Sequence, residues 1–218
     1  MLKNLFLLEG FFLLTFWGCS EKQTQTSFSV SENPVSKIEK FQRSNINFDF
    51  SIELQGEPID TTGEIWNVRG IDIYQNDSPE PLQKIINLNT LTPVGSDFSG
   101  GFMVDDYNFD GTADFRLIKF DRNTDEVKYL FWLFDKNEKK FVHCFLLDSI
   151  PSPQFDYSNS LIFSEHQTDS SLTSDSYKFI DGTPQIFERS IKTISDDSIR
   201  VKYYRNEGGK LIFINEEK

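Results

Sequence analysis

The chain is poor in the side chains that carry most metal and nucleophilic chemistry: its 218 residues include two histidines and two cysteines. His143 lies in FVHCFLL and His166 in LIFSEHQ, and neither has a partner at H-x-x-H spacing. There is no C-x-x-C pair, no G-x-S-x-G elbow and no glycine loop of the kind that cradles phosphate. A lone histidine on a strand reads as a structural residue. Thirty-four carboxylates would allow an Asp/Glu pair for glycoside hydrolysis to meet in space, but nothing in the sequence marks one. No catalytic residue is assigned, and the chain is read as a non-enzyme. Basic residues are also scarce, with 22 Lys and Arg against 34 Asp and Glu, a net charge of −12 and a pI of about 4.6. Nucleic acid is excluded as a partner, because no basic stripe offsets the repulsion. The sign is compatible with binding a cation or a basic protein.

Apolar runs long enough to cross a membrane are missing too. After Lys3, the stretch Leu5 to Trp17 is apolar for about thirteen residues, broken by Glu9, and ends at Gly18-Cys19. A bilayer core of about 30 Å needs about 20 residues of helix, so this run reads as an address rather than a span. The arrangement resembles a bacterial lipoprotein signal, cut before Cys19 and acylated on its thiol. An ordinary secretory peptide or an uncleaved anchor would show a similar run. On the lipoprotein resemblance, residues 1–18 are the signal peptide and Cys19 is the lipidation site. The domain is then exported to the cell envelope and held at the membrane by its N-terminal lipid. Cys144 would be left without a disulfide partner, and its apolar setting predicts a small buried hydrophobe.

What is abundant is phenylalanine, with 22 copies, in a chain whose aromatic content is 15%. Aromatic rings suit the pleated surface of a sheet. Residues 19–40, rich in Ser, Thr, Gln, Glu and Lys, read as a flexible tether. A single β-domain is predicted over 41–218. In INFDFSIEL, Ile46, Phe48, Phe50, Ile52 and Leu54 alternate with polar residues, the mark of a half-buried strand. IDIYQ (71–75) and LQKIINL (82–88) predict further strands. YLFWLF (129–134), apolar on both faces, predicts a central strand and joins KFVHCFLL through DKNEK as a hairpin. Asp181-Gly182 and NEGG mark two more hairpins, while TDSSLTSDS (168–176) reads as a polar, mobile loop. No amphipathic helix of three turns is found. The predicted fold is all-β, an antiparallel two-sheet sandwich or a barrel-like sheet.

Against this background the stretch DDYNFDGTADF stands out. Counted from Asp106 it reads D-x-N-x-D-G-x-x-D, with Asp106, Asn108, Asp110, Thr112 and Asp114 as candidate metal ligands. Ca²⁺ takes six to eight oxygens at about 2.3–2.6 Å. Short side chains at positions 1, 3 and 5 can converge on one ion, glycine at 6 permits the bend, Thr112 offers its carbonyl, and Asp114 closes the site directly or through water. Position 12, where a helical hand needs glutamate, is Leu117, so the loop is placed between strands. Water or a distant residue would complete the shell, and an affinity of about 10⁻⁵–10⁻³ M would suit an extracellular module. The alternative is an Asx-rich turn without metal.

The run VDDYNFDGTADFRLI, followed by YLFWLFDKNEKKF and SIPSPQFDY, resembles a family of small bacterial envelope proteins. These are similar in fold to the periplasmic inhibitors of invertebrate-type lysozymes, and some carry calcium in this loop. The resemblance covers about residues 98–190 and implies a two-sheet antiparallel fold and the calcium ligands named above. The inhibitors insert an S-G-x-Y loop into the lysozyme cleft. Here Ser99-Gly100-Gly101-Phe102 lacks the final hydroxyl, and Gly100-Gly101 also suits a turn entering the strand FMV. The resulting expectation is an exported lipoprotein whose calcium-binding β-domain binds an envelope protein or a glycan. The alternative expectation is a lysozyme or glycoside-hydrolase inhibitor acting through Ser99, Gly100 and Phe102.

Overall fold

Period-two alternation becomes strand almost everywhere it occurs. The structure, a computed structural model, describes residues 39–40, 44–45, 50–76, 78–94, 101–120, 127–195 and 198–218. The predicted signal peptide, Cys19, most of the tether, Ile46, Phe48, Ser99 and Gly100 lie outside these residues. In chain order the elements are β1 (Glu39–Lys40), β2 (Ser44–Asn45), β3 (Phe50–Pro58), β4 (Ile65–Gln75), β5 (Gln83–Ile85), β6 (Thr90–Pro93), β7 (Phe102–Asp105) and β8 (Asp114–Lys119). They continue as β9 (Lys128–Asp135), β10 (Lys140–His143), α1 (Phe145–Asp148), β11 (Gln154–Asp156), β12 (Leu161–Gln167), β13 (Ser171–Ile180), β14 (Thr183–Ser195), β15 (Ser198–Glu207) and β16 (Lys210–Glu217).

The all-β expectation holds, but the strands form three antiparallel sheets rather than two, and none is closed into a barrel. The first sheet runs β1-β3-β4-β5, with β2 also on β3 and β6 also on β4; the second runs β10-β9-β8-β7; the third runs β11 to β16 in sequence order. The extra sheet follows from YLFWLF. Along β9, Leu130, Trp132 and Phe134 join a core shared with Ile52, Leu54, Ile71 and Ile73 of the first sheet. The residues between them, Tyr129, Phe131 and Leu133, join a second core with Leu147, Ile150 and Ile162. A strand apolar on both faces needs a cover on each, and the second sheet is therefore the middle layer.

The two-residue turns behave as their sequences require. Asp181 and Gly182 have φ of 51° and 75°, and Gly208 and Gly209 have 61° and 86°, the left-handed pairs that close twisted hairpins.

Three local expectations are corrected. Within KFVHCFLL the strand stops at His143, and Phe145–Asp148 makes one helical turn that places Leu147 in the second core. The polar segment 168–176 is not a loop beyond Ser171, because β13 is paired on both sides, by β12 and β14. Main-chain pairing there is indifferent to side-chain polarity, and the tight turn is limited to Thr168–Ser171, closed by Thr168 N–H donating to Ser171 O at 2.8 Å. Finally, Glu39 and Lys40, assigned to the tether, pair with Gly56 and Gln55 as β1.

Candidate functional site

The acidic stretch is the connection of the β7–β8 hairpin, whose last paired residues are Asp105 and Asp114. Its short polar side chains fold back onto the loop's own backbone. Asp106 accepts the N–H of Asp110 at 3.0 Å and of Gly111 at 2.7 Å, one on each oxygen. Asn108 Oδ1 also accepts Asp110 N–H, at 3.1 Å, and Asp110 Oδ1 accepts Thr112 N–H at 2.8 Å and the Thr112 hydroxyl. Phe109 (φ 62°) and Gly111 (φ 82°) supply the left-handed steps that curl the loop. Around Gly111 an added Cβ would meet nothing within 4 Å, so backbone conformation rather than space selects glycine there.

Asp106, Asn108 and Asp110 thus turn their oxygens toward one bend, while Asp114 does not join them. It is wholly buried, and its two oxygens accept Tyr107 N–H at 2.9 Å and Phe134 N–H at 2.8 Å, stapling the loop to β9. Burial pushes its carboxyl up to about 7, against the pull of those two hydrogen bonds and with the help of the Asp110 and Asp106 charges. Asp110 moves the other way. Burial works upward on it, but hydrogen bonds from Thr112 and Asn108 and the Lys136 charge together hold it below the usual carboxylate range. Lys136 Nζ donates to Asp110 O at 2.8 Å and lies 3.5 Å from Asp110 Oδ1. Among the described residues no three of His, Cys, Asp and Glu gather as a metal-ligand cluster. The donor set is nevertheless hard oxygen, and a carboxylate oxygen that accepts one N–H keeps a lone pair for a cation. By that count Asp106, Asn108 Oδ1 and Asp110 Oδ2 keep lone pairs at the bend; Asp114, wholly buried and bonded to Tyr107 N–H and Phe134 N–H, faces β9 instead.

Phe102 lies at the margin of the first core. It is half-buried and packs against the first cluster with its ring 5.5 Å from Phe115. Gly101 is buried, and a Cβ there would sit 2.0 Å from Pro93 O, so close backbone packing accounts for the second glycine. His143 stacks on Trp132 at 5.0 Å and pairs through Nε2 with Asp148 Oδ2 at 2.7 Å. The other Asp148 oxygen accepts Phe131 N–H at 2.8 Å, so this pair buttresses β9. Burial raises the Cys144 thiol above its ordinary pKa, which lowers its reactivity.

Two features had no signal in the sequence. Lys136 reaches Asp110 from 26 residues away, a long-range contact that no spacing announces. Arg116, in the run FRLIKF, holds its guanidinium 4.0 Å from the Tyr129 ring centre and 5.0 Å from that of Tyr107.

These observations define a class: an all-β protein of three antiparallel sheets with an oxygen-rich hairpin loop. In fold it is similar to a solved Xanthomonas protein described as related to a type IV secretion system, at 13% identity, over 81% of this chain and 93% of that one, with a TM-score of 0.62. A Bacteroides fragilis protein of unknown function also aligns over 75% of this chain and 90% of that one, at 8% identity and with a TM-score of 0.27. No family model and no curated protein matches the chain.

Proposed function

We propose that this chain is an exported cell-envelope protein, tethered through lipid on Cys19, that takes Ca²⁺ in its 106–114 loop and binds a protein or glycan without catalysing a reaction. The observation that carries the reading is the convergence of Asp106, Asn108 and Asp110 on one hairpin bend. Similarity in fold to a secretion-system-related protein supports the envelope setting. The ion's role would be structural. It would neutralise carboxylates held close together and secure the exit of the loop into β8.

Binding to the folded state alone stabilises by RT ln(1 + [L]/Kd), about 1.4 kcal/mol when calcium is ~10 times Kd. The melting temperature of the full chain is therefore expected to rise by a few degrees between EDTA and about 1 mM CaCl₂, a concentration in the range of extracellular calcium sites. Asp110→Ala should abolish the rise. No calcium response in the wild-type chain would sink the metal reading and return the stretch to an Asx-rich turn.

The net charge of −12 favours a cationic protein among binding partners, and a glycoside-hydrolase inhibitor is the alternative within that class. With Phe102 half-buried against the first core, contact would fall chiefly to Ser99 and Gly100. Such an inhibitor would form a stoichiometric complex with a lysozyme and lose affinity on Ser99→Ala. Unchanged lysozyme activity at micromolar protein would remove this alternative.

A further inference from the structure

The third sheet has an outward face that neither core uses. Ile162 and Tyr177 turn into the second core, and Ser164, also buried, donates to Pro151 O at 2.6 Å. The alternate residues therefore face away from it. Cross-strand register sets them in two rows. Phe163, Ser176, Glu188 and Arg205 lie side by side across β12 to β15, and Glu165, Ser174, Ser190 and Tyr203 form the next row.

These rows have relief. The two middle strands contribute mostly small hydroxyl side chains, Ser174, Ser176 and Ser190. The outer strands carry Phe163, 41% exposed, on one side and Tyr203 and Arg205 on the other. Strands are spaced about 4.8 Å apart, so β12 and β15 stand about 14 Å apart. The result is a trough, lined also by Asn215 and Glu217 of β16, with a volume of about 520 Å³. Its ionic groups are already engaged on the same face. Arg205 Nε donates to Glu188 Oε1 at 3.0 Å, the Tyr203 hydroxyl donates to Glu217 at 3.2 Å, and Ser174 Oγ donates to Glu165 Oε1 at 3.0 Å.

That chemistry selects a ligand class. Arg205 is spent on Glu188, and Arg189, which also lines the trough, on both oxygens of Asp175, so an anionic chain would meet carboxylates without a free cation. The engaged carboxylates keep lone pairs as acceptors, and Ser176 and Ser190 are small donor–acceptor groups, both suited to ligand hydroxyls. Phe163 and Tyr203 offer ring surfaces for the apolar face of a sugar. We propose that the outward face of β12–β15 is a binding trough for an uncharged oligosaccharide chain, seated between Phe163 and Tyr203. The proposal rests on the glycan half of the binding reading above and is independent of the calcium loop.

The test is calorimetric titration of the full chain with chitotetraose and cellotetraose, in calcium and again in EDTA. Saturable binding of at least one of them is expected, weakened about tenfold or more by Tyr203→Ala, a change of about 1.4 kcal/mol. Ser190→Arg, which fills the floor of the trough, should weaken binding to a similar extent and guards against a folding defect in the tyrosine variant. Melting temperatures of both variants should stay near wild type. Binding that persists in EDTA separates this site from the calcium reading, whose failure would leave the result unchanged. Absence of binding to both tetrasaccharides, or binding indifferent to both substitutions, would overturn the proposal.

Discussion

Asp114→Ala is expected to destabilise the domain by about 2–6 kcal/mol in urea unfolding. The substitution strands two buried donors, Tyr107 N–H and Phe134 N–H, and each unsatisfied group costs about 1–3 kcal/mol. Asp114→Asn should fall between wild type and alanine, because its single carbonyl oxygen can serve one of the two donors. The pair also predicts an unusual dependence on pH. A carboxyl whose folded pKa is raised to about 7 from an ordinary 3.8 holds its proton more tightly folded than unfolded. Its contribution is fully present below about pH 4 and is lost as pH rises toward 7, by up to about 4 kcal/mol. Asp110 and Asp156, held below the ordinary range, act in the opposite sense and below about pH 4, where their protonation removes stability as pH falls. In EDTA, wild-type stability should therefore decline between pH 4 and 7 relative to Asp114→Asn. Parallel pH profiles for the two proteins would show that Asp114 does not titrate in this window.

The second large effect is expected in β9. Phe131 and Trp132 are neighbours in sequence, 1% and 2% exposed, and belong to different cores. Phe131→Ala removes a ring that meets Tyr107 edge-on at 5.2 Å, while Trp132→Ala removes one stacked 5.0 Å from Phe115 and 5.0 Å from His143. Each should cost about 3–5 kcal/mol, as large-to-small changes in packed cores do. Both would be measured by thermal and urea unfolding of the full chain. Wild-type stability in either variant would mean that the second sheet is not covered on that face. The expectation is stronger than for an ordinary strand, in which every other residue faces water and only alternate truncations are costly.

Much of this was legible from local pattern. Alternation around Ile52 and Leu54, the two-faced run from Tyr129 to Phe134, and the turn pairs Asp181-Gly182 and Gly208-Gly209 determine strands, a covered central layer and hairpins. Their periods and φ preferences are properties of a few consecutive residues. The spacing of Asp106, Asn108, Asp110 and Gly111 likewise determined a curled, oxygen-lined loop. Tertiary structure alone decided the rest. It set the number of sheets, because the cover for each face of β9 comes from distant segments. It made β13 a strand despite its polarity, since pairing on both sides uses the backbone. It also withdrew Asp114 from the loop, because two buried N–H groups, one of them 20 residues away on β9, compete for its oxygens.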